Sequence, residues 1–140
     1  MKQIVLKRGK EKAVLQKHPW IFSGAVQESI GEPQNGQTVE VITSDREFLG
    51  MAAYSQFSQI RARMWSFQKE EINRDFFRLR VQKALQRRDL FRSQSKDNAW
   101  RLIHGESDLL PGLIVDQYQN YLIVQILSSG VEFHRDLLLD

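Results

Sequence analysis

The sequence predicts an α+β protein: a small, curled, mostly β body followed by a partial α/β unit. Three observations predict it. Residues 3–67 break into short alternating stretches separated by turns rich in Gly, Pro and Asn-Gly. Glu70 to Gln94 contains neither Gly nor Pro and reads as one long helix. Beyond it, apolar runs at Trp100–Ile103, Leu113–Tyr118 and Tyr121–Leu127 return as strands. The composition shift near residue 68 divides the chain into bodies 1–68 and 69–140.

Gln3 to Leu6 reads as a first short strand. Lys10 to Lys17 has good helix formers and no breaker, and Pro19 ends that helix because a residue before proline avoids the helical region. Trp20, Ile21 and Phe22 then alternate into a strand, with Ser23-Gly24 as a bend. Gly31 to Gly36 is a loop. Thr38–Thr43 and Glu47–Tyr54 pair across Ser44-Asp45-Arg46. Leu49, Met51 and Ala53 share a face, and Gly50 marks a bulge or a close backbone approach. Gln59 to Phe67 alternates most clearly. Ile60, Ala62 and Met64 take one face; Arg61, Arg63 and Trp65 take the other.

The long helix carries acids in its first turns and Arg87, Arg88 and Arg92 in its last, which suits the helix dipole. Its apolar residues form two stripes, Phe77/Val81/Ala84/Leu85 and Ile72/Phe76/Leu79, so it is placed to pack against two bodies. Its arginines read as a solvated face. Leu113–Tyr118 and Tyr121–Leu127 make a hairpin with Asn120 as the left-handed residue. The second of these strands is apolar at most positions and reads as buried on both faces. Ser129 to Glu132 matches a capping box and opens a last helix. That helix reaches Leu137–Leu139 without a C-cap, which reads as the front part of a longer protein.

Net charge is +3 and 41% of the residues are apolar, so the chain has enough apolar material for a core and is mildly basic. That permits a nucleic-acid partner without requiring one. With no cysteine, disulfides, thiolate metal sites and a cysteine nucleophile are excluded within these residues. No apolar run approaches a membrane span and no secretory leader opens the sequence, so a cytoplasmic protein is expected. Neither GxGxxG nor GxxxxGK[ST] is present. The three histidines lack metal-ligand spacing, so no metal and no complete catalytic site is expected.

Two candidate surfaces remain. Lys7, Arg8, Lys10, Lys12 and Lys17 cluster ahead of Trp20, and Arg61 and Arg63 lie at i and i+2 beside Trp65 on one strand. Such sets either bind phosphates and stack a base, or are solvated faces beside core tryptophans. Glu106 and Asp108, in His104-Gly105-Glu106-Ser107-Asp108, either act as acid and base or cap a turn.

Three stretches carry a resemblance: His18 to Val26, Ala53 to Arg63, and above all Arg101 to Asp116, Arg-Leu-Ile-His-Gly-Glu-Ser-Asp-Leu-Leu-Pro-Gly-Leu-Ile-Val-Asp. Together they resemble the N-terminal part of the bacterial SAM-dependent large-subunit rRNA cytosine-C5 methyltransferases. The resemblance implies a PUA-like β pseudo-barrel, then a central α/β domain, here in part. In that family a Rossmann-like domain further on carries S-adenosylmethionine and the nucleophile, and neither has matching positions here. It also implies ribosomal RNA as partner, no cofactor within these residues, and a homodimer as an assembly to test. Phosphate contacts are then expected from Lys7, Arg8, Lys10, Lys12, Lys17, Arg61 and Arg63, with Glu106 and Asp108 lining a cleft. A stand-alone PUA module, or the PUA part of another RNA-modifying enzyme such as a pseudouridine synthase, are the alternatives.

Overall fold

The computed structural model covers residues 1–140. The first body holds β1 (Gln3–Leu6), the one-turn helix α1 (Lys12–Leu15), β2 (Trp20–Phe22), a 3₁₀ turn (Ser23–Ala25), β3 (Val26–Ile30), β4 (Thr38–Ile42), β5 (Phe48–Tyr54) and β6 (Ile60–Ser66). In space the order is β2-β6-β5-β4-β1-β3. β2 and β3 follow one another in the chain yet lie on opposite edges, joined by only the 3₁₀ turn. The sheet must therefore curl until its edges approach. The Lys7 amide donates to the Ala25 carbonyl and the Ser23 amide to the Gln59 carbonyl, which ties both edges to that turn. β1 and β4 pair in parallel; the other pairs are antiparallel.

Inside the curl lie Ile4, Leu6, Val41, Ala52, Ala62 and Met64, with Val14 of α1 packed among them. Gly50 is both things expected of it. Val41 pairs with Gly50 and Ile42 with Phe48, so β5 bulges there. A Cβ on Gly50 would also run into Met64 Cε and the Ser66 carbonyl. The bulges change one expectation. The extra residue Leu49 resets the alternation of β5, so Leu49, Ala52 and Tyr54 face the barrel core while Ala53 faces away from it; the second bulge, opposite Met51 and Ala52, falls on β6 at Trp65. β3 has no counterpart among the expected strands: Gln27, Glu28 and Ser29 are exposed on an edge strand and leave no apolar alternation.

The second body holds α2 (Arg74–Gln94), β7 (Ala99–His104), a 3₁₀ turn (Gly105–Asp108), β8 (Leu113–Tyr118), β9 (Tyr121–Ile126), α3 (Ser129–Phe133) and α4 (Arg135–Leu139). α2 starts later than its composition suggests, because the Asn73 side chain accepts from the Phe76 amide and caps it. α3 is capped by Ser128 rather than Ser129. Gln119, not Asn120, takes the left-handed position of the β8–β9 turn. β9 is the larger correction. It is an edge strand of the order β7-β8-β9, with Tyr121 73% and Leu122 61% exposed. The central strand β8 carries the burial instead. Sheet position sets burial, and hydrophobicity alone does not reveal position.

The two bodies share a core. Ala53 and Trp65, on the barrel's outer face, pack with Phe77, Ala84, Leu113 and Val131. Trp65 is 2% exposed and its ring meets Phe77 edge to face at 5.2 Å. Gly130 of α3 lies so close that a Cβ would strike Ala53 and the Trp65 ring. Trp65 is therefore not a platform for a base. His134 closes the same cluster, 5.1 Å from the Phe77 ring and 3.3 Å from Thr38 Oγ1.

Two outcomes are expected. Trp65→Ala costs about 3–5 kcal/mol, and in urea both bodies unfold in one transition at a lower midpoint. Burial holds the His134 imidazole below its ordinary 6.5. The unfolded chain then takes up a proton that the folded one refuses, so this contribution is intact above pH 6.5 and weakens as pH falls below it. Urea midpoints from about pH 7 to about pH 5 check this, and His134→Gln flattens that part of the profile.

Candidate nucleic-acid interface

Lys7, Arg8 and Lys10 occupy one exposed turn after β1, closed by the Lys10 amide on the Lys7 carbonyl at 2.9 Å. Arg8 meets Asp45 at 3.3 Å, but both side chains are mostly in water, so the pair constrains little. Lys12 is exposed at the start of α1. Lys17 has φ 66 and turns aside, its Nζ 4.7 Å above the Phe67 ring on the α2 side of the barrel. Arg61 is half-buried on the outer barrel face, and its Nε donates to the Ser58 carbonyl at 3.4 Å. The Lys7 turn and the start of β6 both abut the Ser23–Ala25 turn, so Lys7 and Arg61 flank one rim of the barrel.

Arg63 is not with them. It stands opposite Trp20 in the β2–β6 pair and lies at the seam between the bodies. Burial lowers its pKa, against the opposing charge of Glu106. Glu106 in turn accepts from Trp20 Nε1 at 3.1 Å, linking the second body to β2.

Aromatic rings that the sequence did not single out for recognition stand on the rim. Phe57, in the β5–β6 loop, is 86% exposed, and Phe22 is 50% exposed. His18, Trp20 and Phe22 form a run with ring centroids 6.2 to 6.5 Å apart. The available signal was the loop Ser55-Gln56-Phe57-Ser58, where a lone Phe among polar residues has no strand face to join.

Asp108 is 3% exposed and receives Arg88 at 2.8 Å, Arg87 at 3.1 Å and the His104 amide. Burial opposes its charge, but the Arg88 hydrogen bond, the His104 amide and the two guanidiniums hold its carboxyl below the usual range. That chemistry suits a clasp, not a proton donor at neutral pH. Four of the α2 arginines, Arg80, Arg87, Arg88 and Arg92, are accordingly engaged with the protein, while Arg78 stays exposed and unpaired, as a solvated face would have it. Arg80 donates to the Trp65 and Leu109 carbonyls, and Arg92 to Gln117.

Residues 4–67 match the family described as PUA-like domain. The barrel is thus PUA-like, and the chain as a whole is an α+β protein of barrel plus three-stranded α/β body. Over 138 residues, 98% of the chain, it is 46% identical to the Ribosomal RNA large subunit methyltransferase I of Yersinia pseudotuberculosis (serotype O:1b, strain IP 31758) and, equally, to that of Yersinia pestis bv. Antiqua (strain Angola). The chain spans 35% of the length of these relatives. A protein from Streptococcus mutans described as a SAM-dependent methyltransferase shares the fold at TM-score 0.85 and 22% identity, over 99% of this chain and 36% of that one. A methyltransferase structure complexed with SAH does so at TM-score 0.86 and 21% identity, with the same coverage.

The residues of this chain do not fit a SAM site. Such a site needs a strand, a glycine-rich turn and a helix whose N-terminus faces the ligand. Here the glycine-bearing turn Gly105–Gly112 leads from β7 into β8, not into a helix.

Asp108→Asn leaves Arg88 and the His104 amide with a weaker acceptor and costs about 1–3 kcal/mol, seen as a lower urea midpoint at neutral pH. Because the folded carboxyl is depressed, its contribution is present above pH 3.8 and is lost as pH falls through the folded value. The two proteins should therefore converge in stability under strong acid.

Proposed function

We propose that this chain is the RNA-recognition part of a SAM-dependent methyltransferase that modifies large-subunit ribosomal RNA at cytosine C5. The observation that carries it is the 46% identity over 138 residues, which extends through the barrel and the second body alike. In this reading residues 1–68 are the RNA-binding domain and residues 69–140 the first part of a central α/β domain. Ribosomal RNA in the cytoplasm is the partner. SAM and the nucleophile belong to the part of the relatives' length that this chain does not span.

The rim supports the reading on physical grounds. Lys7, Lys10 and Lys12 are exposed and release counterions when they meet phosphates. Arg61 adds a donor fork beside them, and Arg8 joins by exchanging Asp45 for a phosphate. Phe57 and Phe22 offer faces on which unpaired bases stack. Lys17 serves the α2 side of the same strand path. Arg63 acts from the seam, with Glu106 and Asp108 shaping the cleft beside it.

The experiment is filter binding of a large-subunit rRNA fragment across a salt series. The triple variant Lys7→Ala, Lys10→Ala, Lys12→Ala should lower the slope of log K against log salt by about 2, at roughly 0.7 for each phosphate no longer neutralised. Phe57→Ala should weaken binding by about 1–3 kcal/mol with little change in slope. An unchanged slope and affinity in the triple variant, with intact circular dichroism, would remove the rim from the interface.

A further inference from the structure

We propose that the seam between the barrel and the second body is a slot for a single unpaired nucleobase that carries both an amino group and a carbonyl, guanine or cytosine. Trp20 forms its aromatic wall, and Arg63 and Glu106 read its edge. The inference rests on the RNA-binding reading above and specifies what one part of the surface recognises.

A cleft of about 200 Å³ opens at this seam, lined by Trp20, Arg63, His104, Glu106, Ile114 and Leu127. It is smaller than the roughly 300–1,000 Å³ of a pocket for a whole small molecule. A flat ring fits it better than a complete nucleotide does. Trp20, Ile114 and Leu127 supply apolar surface, and the polar groups sit among them. That combination suits a base, which has two apolar faces and a polar edge.

The polar groups are set up for an outside partner. Glu106 Oε1 accepts from Trp20 Nε1 at 3.1 Å, which orients the carboxylate and leaves Oε2 as an acceptor. Arg63 is half-buried; its Nε is enclosed without an acceptor and out of a ligand's reach, while its terminal Nη1 and Nη2, on the cleft lining, make no hydrogen bond or ion pair with the protein. Glu106 is the charge opposite it, yet the two do not close an ion pair. A desolvated guanidinium held without a salt bridge is a donor waiting for an acceptor.

The positions are rigid. Arg63 lies on β6 between β2 and β5, and Trp20 faces it in register. Glu106 sits in the 3₁₀ turn that Asp108 fastens to Arg87 and Arg88. A slot built on a strand pair and a clasped turn does not need to be ordered when the ligand arrives.

The chemistry then selects the base. Glu106 accepts from one N–H of the base, and the Arg63 fork donates to two neighbouring acceptors beside it. Cytosine offers that order, its amine next to N3 and O2, and so does guanine, its N1–H next to O6 and N7. Adenine has one acceptor on either side of its amine, and uracil has its N–H between two separated carbonyls, so neither presents two adjacent acceptors to the fork. The ring run His18–Trp20–Phe22 connects the slot to the rim, so one strand can lie on the lysines while one of its bases turns inward.

The test uses the 140-residue chain and single-stranded hexamers of uridine with one central cytidine, guanosine or adenosine, followed by fluorescence anisotropy. The cytidine or guanosine hexamer should bind about tenfold tighter than the uridine and adenosine hexamers, the effect of one charge-assisted hydrogen bond. Glu106→Gln keeps an acceptor for Trp20 and should reduce the preference to near one without changing the salt slope. Arg63→Lys keeps the charge, loses the fork, and should do the same. The lysine triple variant should weaken all four hexamers alike and leave the preference intact. If all four bind equally while the lysine variant still weakens them, the slot is refuted and the rim stands. If neither the hexamers nor the rRNA fragment bind, the RNA-binding reading fails and the slot with it. Circular dichroism of each variant separates these outcomes from unfolding.

Discussion

Trp65 holds the molecule together. Its strand, β6, has both faces buried: Ala62 and Met64 in the barrel core, Trp65 in the core that joins the bodies. A curled sheet of this size would ordinarily turn its outer face to water. Here that face accepts Phe77 from α2 and the bare backbone of Gly130 from α3. The approach at Gly130 is possible only without a side chain. The second body is therefore seated on the barrel at a fixed distance, and the geometry of the seam around Trp20 follows from it.

Electrostatics reinforce the same joint rather than the surface. The net charge of +3 and the arginine-rich α2 suggest a broad basic face. In the structure Arg80 caps carbonyls of β6 and of the Gly105–Gly112 stretch, and Arg87 and Arg88 enclose Asp108. These cations are engaged with the protein. What remains for a polyanion is narrower: the lysines of the β1–α1 turn, with Arg61 across the rim, and, away from the rim on α2, Arg78 and Lys83. A small cluster of unengaged cations beside exposed rings favours a single strand over a long duplex, because stacking needs unpaired bases.

Much of the fold was legible because it follows from local rules. The alternation in β6, the proline stop at Pro19, the long helix and the bulge at Gly50 each rest on a few neighbouring residues. What was not legible depends on sheet order. β9 reads as a buried strand from Leu122-Ile123-Val124, yet it is an edge; residues 26–30 carry no reading of their own and form the strand β3. Nothing in either segment states its neighbour. For the candidate site, the exposed lysines were legible from charge. The separation of Arg61 from Arg63 was not. Both lie on the outer face of β6, but the second body covers only the end that Arg63 occupies, and the residues that cover it lie far along the chain.

The turn Gly105–Asp108 shows why its two acids have different work. Gly105 (φ 50) and Leu109 (φ 59) place left-handed backbone at both ends, a conformation that costs leucine more than glycine. The reversal aims Asp108 inward at α2 and Glu106 outward at Trp20. Asp108 is fully engaged and cannot act on a ligand without breaking the clasp. Glu106 keeps one oxygen free and stands over a cleft. A strained turn is maintained only when its surroundings over-determine it, and the ion pairs of Asp108 do so here. The buried acid thus fixes the position of the one that faces the seam, and through Trp20 it also fixes the edge of the barrel against the second body.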